Sequence, residues 1–464
     1  MNLCKKVLSG QKSSVKATAE LQIIPRAQHN ISRKDISKNA LKVLYRLKDA
    51  GYDAYLVGGG VRDLLLGLKP KDFDIVTNAT PEQIKKCFSN CRLIGRRFRL
   101  AHIVFGREII EVATFRGHHE TDNSKHKSDD GQLLRDNVYG DIDQDAERRD
   151  FSANSLYYDI KDFSIRDYWG GVAAIANREI ELIGDPDTRY REDPVRMLRA
   201  VRFAQKLDMQ ITPRSAKPIY QLAPLLQNIP KARLFEECLK LFLAGKGLDT
   251  FKSLIEFGLF QQIFPNLAES VASENAAYQL MSIALRNTDT RINNEMRVTP
   301  AFLFAAFLWH EMEQAREHYQ AQGMPAQDAL HTAASAVLDG GQYNVTIPKR
   351  FSTTIRDIWA LQPRLEKRAG KRCLKLLEHP KFRAAYDFLL LRTEIAQGEQ
   401  ATELTAICTW WTELQKSDAG KQASLVNQLN SQADKRRPRK RRNNGKRPYN
   451  KRRRSNNSEQ SNND

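Results

Sequence analysis

Apolar residues first repeat at helical spacing after Ser37, where Ala40, Leu41, Val43, Leu44 and Leu47 fall on one stripe. The pattern predicts a helix that Gly51 ends. The period then changes. Tyr55-Leu56-Val57 reads as a short strand running into Gly58, Gly59 and Gly60, and Val61 to Leu66 as a helix. Phe73 to Thr77 is a second predicted strand. Thr80-Pro81-Glu82 predicts a helix start, with Thr80 as N-cap and Pro81 in the first helical position. Ala101 to Phe105 and Ile109 to Phe115 are further predicted strands, and Asn154 to Tyr158 is helix-like. The β-α-β-α-β-β order predicts a small mixed α/β domain.

From Asp193 onward the pattern is mainly helical through Trp411, with Pro194, Pro213 and Pro230 each opening a helix. Three stretches are expected to be loosely ordered: the N-terminus up to about Pro25, and the loop Gly117 to Gln132 and the tail from Lys435, which have too little apolar content to offset the entropy of ordering. The loop carries His118, His119 and His126 and is read as solvated. Residues Gln415 to Asp434 are polar and lead into the tail.

Charge sharpens this picture. The chain has 464 residues, which suits two to four domains, and a net charge of +19. Lys435 to Arg454 holds thirteen Lys and Arg and no acidic residue, and without 435–464 the net charge is still +8. A basic body with a basic tail points to nucleic acid as partner. The six cysteines, Cys4, Cys87, Cys91, Cys238, Cys373 and Cys408, follow no disulfide or zinc spacing and read as reduced thiols of a cytoplasmic protein. No run approaches the length of a membrane span, and the N-terminus lacks the apolar core of a secretory signal.

Four motifs could carry chemistry. Glycines between a strand and a helix let backbone approach an anion, and Arg62 in the first turn could pair with phosphate; such glycines serve tight packing equally well. Strand period puts Asp72 and Asp74 on one face, and two carboxylates flanked by apolar residues are costly unless a cation neutralises them. Hard oxygen ligands suit Mg²⁺, and two such ions about 4 Å apart could serve the attacking and leaving oxygens. Glu111, inside an apolar strand, is either a third acidic group or the partner of an arginine, with Arg116 the favoured partner. In Glu147-Arg148-Arg149-Asp150-Phe151, Arg149 could hold a triphosphate and Asp150 could face the metals or a ribose hydroxyl, or the stretch could be a surface ion-pair cluster. Finally, Asp193 is read as the N-cap of a helix with Val195, Leu198 and Val201 on one side and Arg196, Arg199 and Arg202 on the other. Asp193 and Arg196 together offer an acceptor and a forked donor to a base edge. The same pattern also fits an ordinary amphipathic helix.

In order and spacing, Gly58-Gly59-Gly60-Val61-Arg62-Asp63, Asp72-Phe73-Asp74, Arg148-Arg149-Asp150-Phe151 and Glu192-Asp193-Pro194-Val195-Arg196 resemble the class II nucleotidyltransferases. That group includes bacterial poly(A) polymerases and CCA-adding tRNA nucleotidyltransferases. Leu93 to Ile103, with its Gly95-Arg96-Arg97-Phe98 core, is similar to the poly(A) polymerase version. The resemblance implies an α+β fold: a nucleotidyltransferase head with a mixed sheet and helices, then an all-helical neck, body and leg, then a disordered basic tail. The corresponding boundaries are a flexible arm over 1–30, a catalytic head over 31–185, a neck over 186–260, a body and leg over 261–420, and an RNA-binding tail over 421–464.

It also implies template-independent addition of AMP from ATP to RNA 3′-hydroxyls, with pyrophosphate released and two Mg²⁺ held by Asp72 and Asp74. Asp72, Asp74 and Asp150 match the catalytic positions. Gly59, Arg62, Arg149, Asp193, Arg196 and Arg199 match those that contact nucleotide. RNA 3′ ends and ATP are the implied partners, with promotion of RNA decay as the outcome and the RNA-degradation machinery as a further partner. Two rivals stand beside this reading. A CCA-adding enzyme shares the fold and the carboxylates, and a non-catalytic RNA-binding adaptor would need no acidic pair.

Overall fold

The computed structural model describes residues 21–95, 99–117, 138–341, 343–368 and 372–436. The N-terminal part is built on an eight-stranded sheet in the order β1-β8-β7-β2-β3-β6-β5-β4. The strands are β1 Gln22–Ile24, β2 Ala54–Val57, β3 Asp74–Thr77, β4 Cys91–Ile94, β5 Leu100–Phe105, β6 Glu108–Thr114, β7 Leu156–Asp159 and β8 Ile165–Asp167. Every neighbouring pair is antiparallel except β3 and β6, which run parallel. The head is thus the mixed sheet that was expected.

Its two faces differ. Ala54, Leu56, Ile75, Ile110 and Val112 join the main core beneath the helices Lys38–Asp49, Gly59–Leu65 and Pro81–Cys87. The alternate residues Tyr55, Val57, Val76 and Tyr157 form a separate cluster with Phe115, Ala146 and Tyr168. Ala146 comes from the helix Ile142–Arg148, which covers only part of that face. The rest of the face is open, and Asp74 and Glu111 stand on it.

Local signals place the first elements as expected. Ser37 caps the first helix by accepting from the Ala40 amide, and Gly51 takes φ +85° after its end. Thr80 and Gln83 form a reciprocal capping box around Pro81. Four expectations need correction. Residues 22–24 are not part of a loose arm; they pair with β8 as an edge strand. The helix-like stretch to Tyr158 is strand β7, whose burial on both faces hides the alternation that marks a half-exposed strand. The Val195–Leu207 helix begins one residue late, with Pro194 at the N-cap and Asp193 before it. The polar segment after 415 is also helical over Ala419–Arg436: Asp418 accepts from the Lys421 amide, and Val426 is buried in a second core. The expected disorder from 421 therefore does not hold as far as 436.

Beyond the head the described residues from Pro186 to Arg436 are mainly helical, and the two-residue strand Gln210–Ile211 pairs with Glu179–Ile180 at the junction. The main core continues without a break into these helices. The residues 1–20, Arg96-Arg97-Phe98, the histidine loop at 118–137 and the tail from 437 lie outside the described residues. No helix among the described residues is long and apolar enough to cross a membrane.

Candidate active site

The site starts where β2 ends. Gly58 turns the chain at φ +70°, a conformation that side chains rarely adopt, and leads into the Gly59–Leu65 helix. A Cβ on Gly60 would lie 3.4 Å from the Asp72 carbonyl oxygen, so the glycine lets the helix pack directly on the acidic segment. In the sheet register Asp74, the first residue of β3, sits between Val57 of β2 and Glu111 of β6, while Asp72 lies just before the strand.

Asp72 and Asp74 are exposed, and neither pairs with another side chain among the described residues. The Asp74 carboxyl is recessed, however. Burial, followed by Glu111 and Asp72, pushes it up to about 6 against the pull of Arg149. Glu111 is therefore an acidic neighbour of Asp74. Its own partner is His102, with Nε2 3.2 Å from Oε1, and not Arg116 as expected. No three His, Cys, Asp or Glu side chains close into a metal cage among the described residues. Two carboxylates with the remaining positions open fit Mg²⁺, which is usually held by one or two carboxylates together with substrate phosphates.

Facing the acids is an arginine set. Arg149 donates from Nε to the Tyr157 hydroxyl at 2.8 Å and from Nη2 to Asp145 at 2.9 Å. Its Nη1 makes no hydrogen bond among the described residues and points at the Gly58 turn, 3.6 Å from where a Cβ would stand. One arm of the fork is thus left for an anion. Arg62 is only 4% exposed. It donates to Asp63 at 2.9 and 2.7 Å and to the Asn154 side-chain oxygen, lies beside Gly59, and its guanidinium lies 5.1 Å from the Phe203 ring centre.

Asp150 is held by contacts on both of its carboxylate oxygens. One of its oxygens accepts from the Phe151 amide at 2.8 Å and the Asn154 amide group at 3.1 Å. The other accepts from Arg199 Nε at 2.7 Å and from its Nη2. Burial alone would raise this carboxyl, but Arg199, Asn154 and the Phe151 amide hold it down at about 2. Through these contacts Asp150 ties the head to the Val195–Leu207 helix.

Along that helix the cations outnumber their partners. Arg62, Arg199 and Arg202 surround Phe203 at 5.1, 5.3 and 4.5 Å. Burial and then Arg199 hold Arg202 down at about 10, and burial and then Arg196 do the same to Arg189. The Nε atoms of both are buried without a hydrogen bond. Asp193 and Arg196 do not pair with each other. Asp193 accepts from Arg233 at 2.8 Å, and Arg196 Nη1 donates to the Arg189 carbonyl at 2.7 Å and to Glu192 at 3.0 Å. Sequence reasoning missed His102, Asp145, Asn154, Tyr157, Arg189, Phe203 and Arg233 as members of the site. Asn154 and Tyr157 carried a signal through their place just after the Arg149-Asp150 pair, and His102 through its place in the Leu93 to Ile103 motif.

Three family profiles match in sequence order: "Poly A polymerase head domain" over residues 54–181, "Probable RNA and SrmB- binding site of polymerase A" over 208–270, and "Polymerase A arginine-rich C-terminus" over 322–447. The chain is 55% identical to poly(A) polymerase I of Salmonella typhimurium over 450 residues, covering 95% of this chain and 96% of that one. It is 33% identical to the CCA-adding enzyme of Lactobacillus helveticus, over 57% of this chain and 67% of that one. Among solved structures it resembles the Bacillus stearothermophilus CCA-adding enzyme in complex with CTP. That match has a TM-score of 0.53 and 26% identity, over 81% of this chain and 82% of that one.

Proposed function

The chain belongs to the bacterial poly(A) polymerase family, and on that premise we propose that it extends RNA 3′ ends with AMP taken from ATP, without a template. The RNA 3′-hydroxyl oxygen forms a bond to the α-phosphorus, the bond from that phosphorus to the bridging oxygen breaks, and pyrophosphate leaves. The observation that carries this reading is the juxtaposition of Asp72 and Asp74, which pair with no side chain among the described residues, with Arg149, whose charge acts on Asp74.

Magnesium, two ions in this reading, would be held by Asp72 and Asp74, easing loss of the hydroxyl proton and neutralising the leaving pyrophosphate. The remaining work falls to other side chains. Arg149 Nη1 and Arg62 hold the triphosphate at the Gly58 turn, where Gly59 allows close approach. Asp193 and Arg196 meet the base, each fixed by its own neighbours, Arg233 for the first and Glu192 with the Arg189 carbonyl for the second. Arg199 serves the site by holding Asp150, and through it the angle between head and helix. In the same reading the enzyme is cytoplasmic, and it marks messages, regulatory RNAs and decay fragments for the RNA-degradation machinery.

The purified protein incubated with a short non-tRNA substrate, Mg²⁺ and either ATP or CTP tests the proposal. Long A tracts are expected with ATP and little incorporation with CTP. Addition limited to a few C and A residues on tRNA would identify a CCA-adding enzyme instead. No incorporation at all would leave an RNA-binding adaptor.

A further inference from the structure

Strand register lines up four charged or titratable side chains across the open face of the sheet. Asp74 pairs with Glu111 between β3 and β6, Glu111 with His102 between β6 and β5, and His102 with Arg92 between β5 and β4. Within this row the one direct side-chain contact is His102 Nε2 to Glu111 Oε1, at 3.2 Å. Glu111 Oε2 has no partner among the described residues.

A glutamate in that position is hard to keep in place. Its side chain is 48% exposed and has several rotatable bonds, and the carboxylate beside it repels it. Unrestrained, it would spread over rotamers that carry its charge out into solvent. His102 has a shorter and stiffer side chain and is only 20% exposed, anchored between its neighbours on β5. The close approach of such a ring favours one Glu111 rotamer and one carboxylate orientation. It also occupies a single oxygen, which leaves the other to contribute its charge to the acidic site.

We propose that His102 is a positioning residue for the transfer reaction: it fixes Glu111, and Glu111 in turn completes the negative environment that Asp72 and Asp74 offer to a divalent cation. The proposal rests on reading Asp72 and Asp74 as the cation-holding pair. His102 itself touches neither nucleotide nor RNA in this scheme. Its loss weakens cation binding and slows the chemical step while leaving the affinity for RNA alone.

The test uses the full chain and three substitutions. His102→Gln keeps an N–H donor at similar reach, His102→Asn keeps the amide but is too short, and Glu111→Gln removes the charge that His102 is said to hold. Two readouts are taken: kcat with separate KM values for ATP and RNA, and Mn²⁺ affinity measured by electron paramagnetic resonance without substrate. Partners that orient a metal site typically contribute 10- to 100-fold. His102→Asn should therefore lower kcat and weaken Mn²⁺ binding by about ten-fold, with KM for RNA unchanged, and His102→Gln should restore most of both. His102→Asn placed on the Glu111→Gln background should add nothing, since the two act as one unit. Wild-type kcat and Mn²⁺ affinity in His102→Asn would overturn the proposal. So would a further loss on the Glu111→Gln background, or equal impairment by Asn and Gln. If Glu111→Gln itself keeps full activity and Mn²⁺ affinity, the acidic environment does not include Glu111. If instead Asp74→Ala leaves Mn²⁺ binding intact, the reading of the acidic pair fails, a result distinct from a failure of the His102 contact.

Discussion

Asp72 and Asp74 carry two unneutralised charges that the fold alone gains nothing from keeping. Replacing either with alanine should abolish Mg²⁺-dependent AMP addition. It should leave the melting temperature unchanged or slightly raised, because burial and Glu111 already work against the charged form of Asp74. RNA binding should persist, since the positive surface is untouched. Near-normal activity in either variant, measured by radiolabelled ATP incorporation, would remove them from the chemistry. Asp74 was legible as a strand residue whose face the alternation fixes, whereas Asp72 lies just before that strand. The partners of Glu111 and Asp193 were not legible. Both are set by neighbours brought in from distant strands and helices, and Arg116 was expected for Glu111 only because it is close in sequence.

At the scale of elements, the Asp150–Arg199 contact joins the sheet domain to the Val195–Leu207 helix. The carboxyl is held at about 2, below its unfolded value of 3.8, so its contribution is present above about pH 4 and is lost as pH falls toward 2. A shift of that size corresponds to about 2 kcal/mol. Asp150→Asn should lower the melting temperature at neutral pH, and the gap from wild type should narrow below about pH 4. A variant with wild-type stability but no activity would return Asp150 to the chemistry. Element starts with local caps, at Ser37 and Thr80, could be read directly because the capping group and its target are a few residues apart. Strands β1, β4, β7 and β8 escaped. They are short, and their pairing is dictated by sheet neighbours more than by their own pattern. The Ala419–Arg436 helix escaped for the opposite reason: its polar composition resembles a tail, yet Val426 and a cap at Asp418 dock it on the second core.

For the whole molecule the governing quantity is charge. Residues 437–464 hold eleven Lys and Arg beyond the last described helix. Removing them should leave the fold and the chemical step intact and weaken RNA binding. Each phosphate neutralised on a single strand contributes about −0.7 to the slope of log K against log salt, so engagement of four or five cations would make the slope shallower by roughly 3. Activity loss should be greatest at low RNA and recover as RNA is raised. Equal slopes for the full and shortened chains would assign RNA affinity to the folded body, which without 435–464 still carries a net charge of +8.

The parallel pairing of β3 with β6 also sets an order in time. Antiparallel neighbours such as β5 and β6 meet through a tight turn, but β3 and β6 can join only after the chain between them has formed a helix and two strands and crossed back. Non-local parallel pairing of this kind is slow, because loop-closure entropy must be met before any contact rewards it. Asp74 and Glu111 come together in that one step. The same pairing sets Ile75 beside Val112, so the acidic centre and this part of the hydrophobic face form together. The two carboxylates that repel each other are brought together only once enough of the sheet exists to hold them.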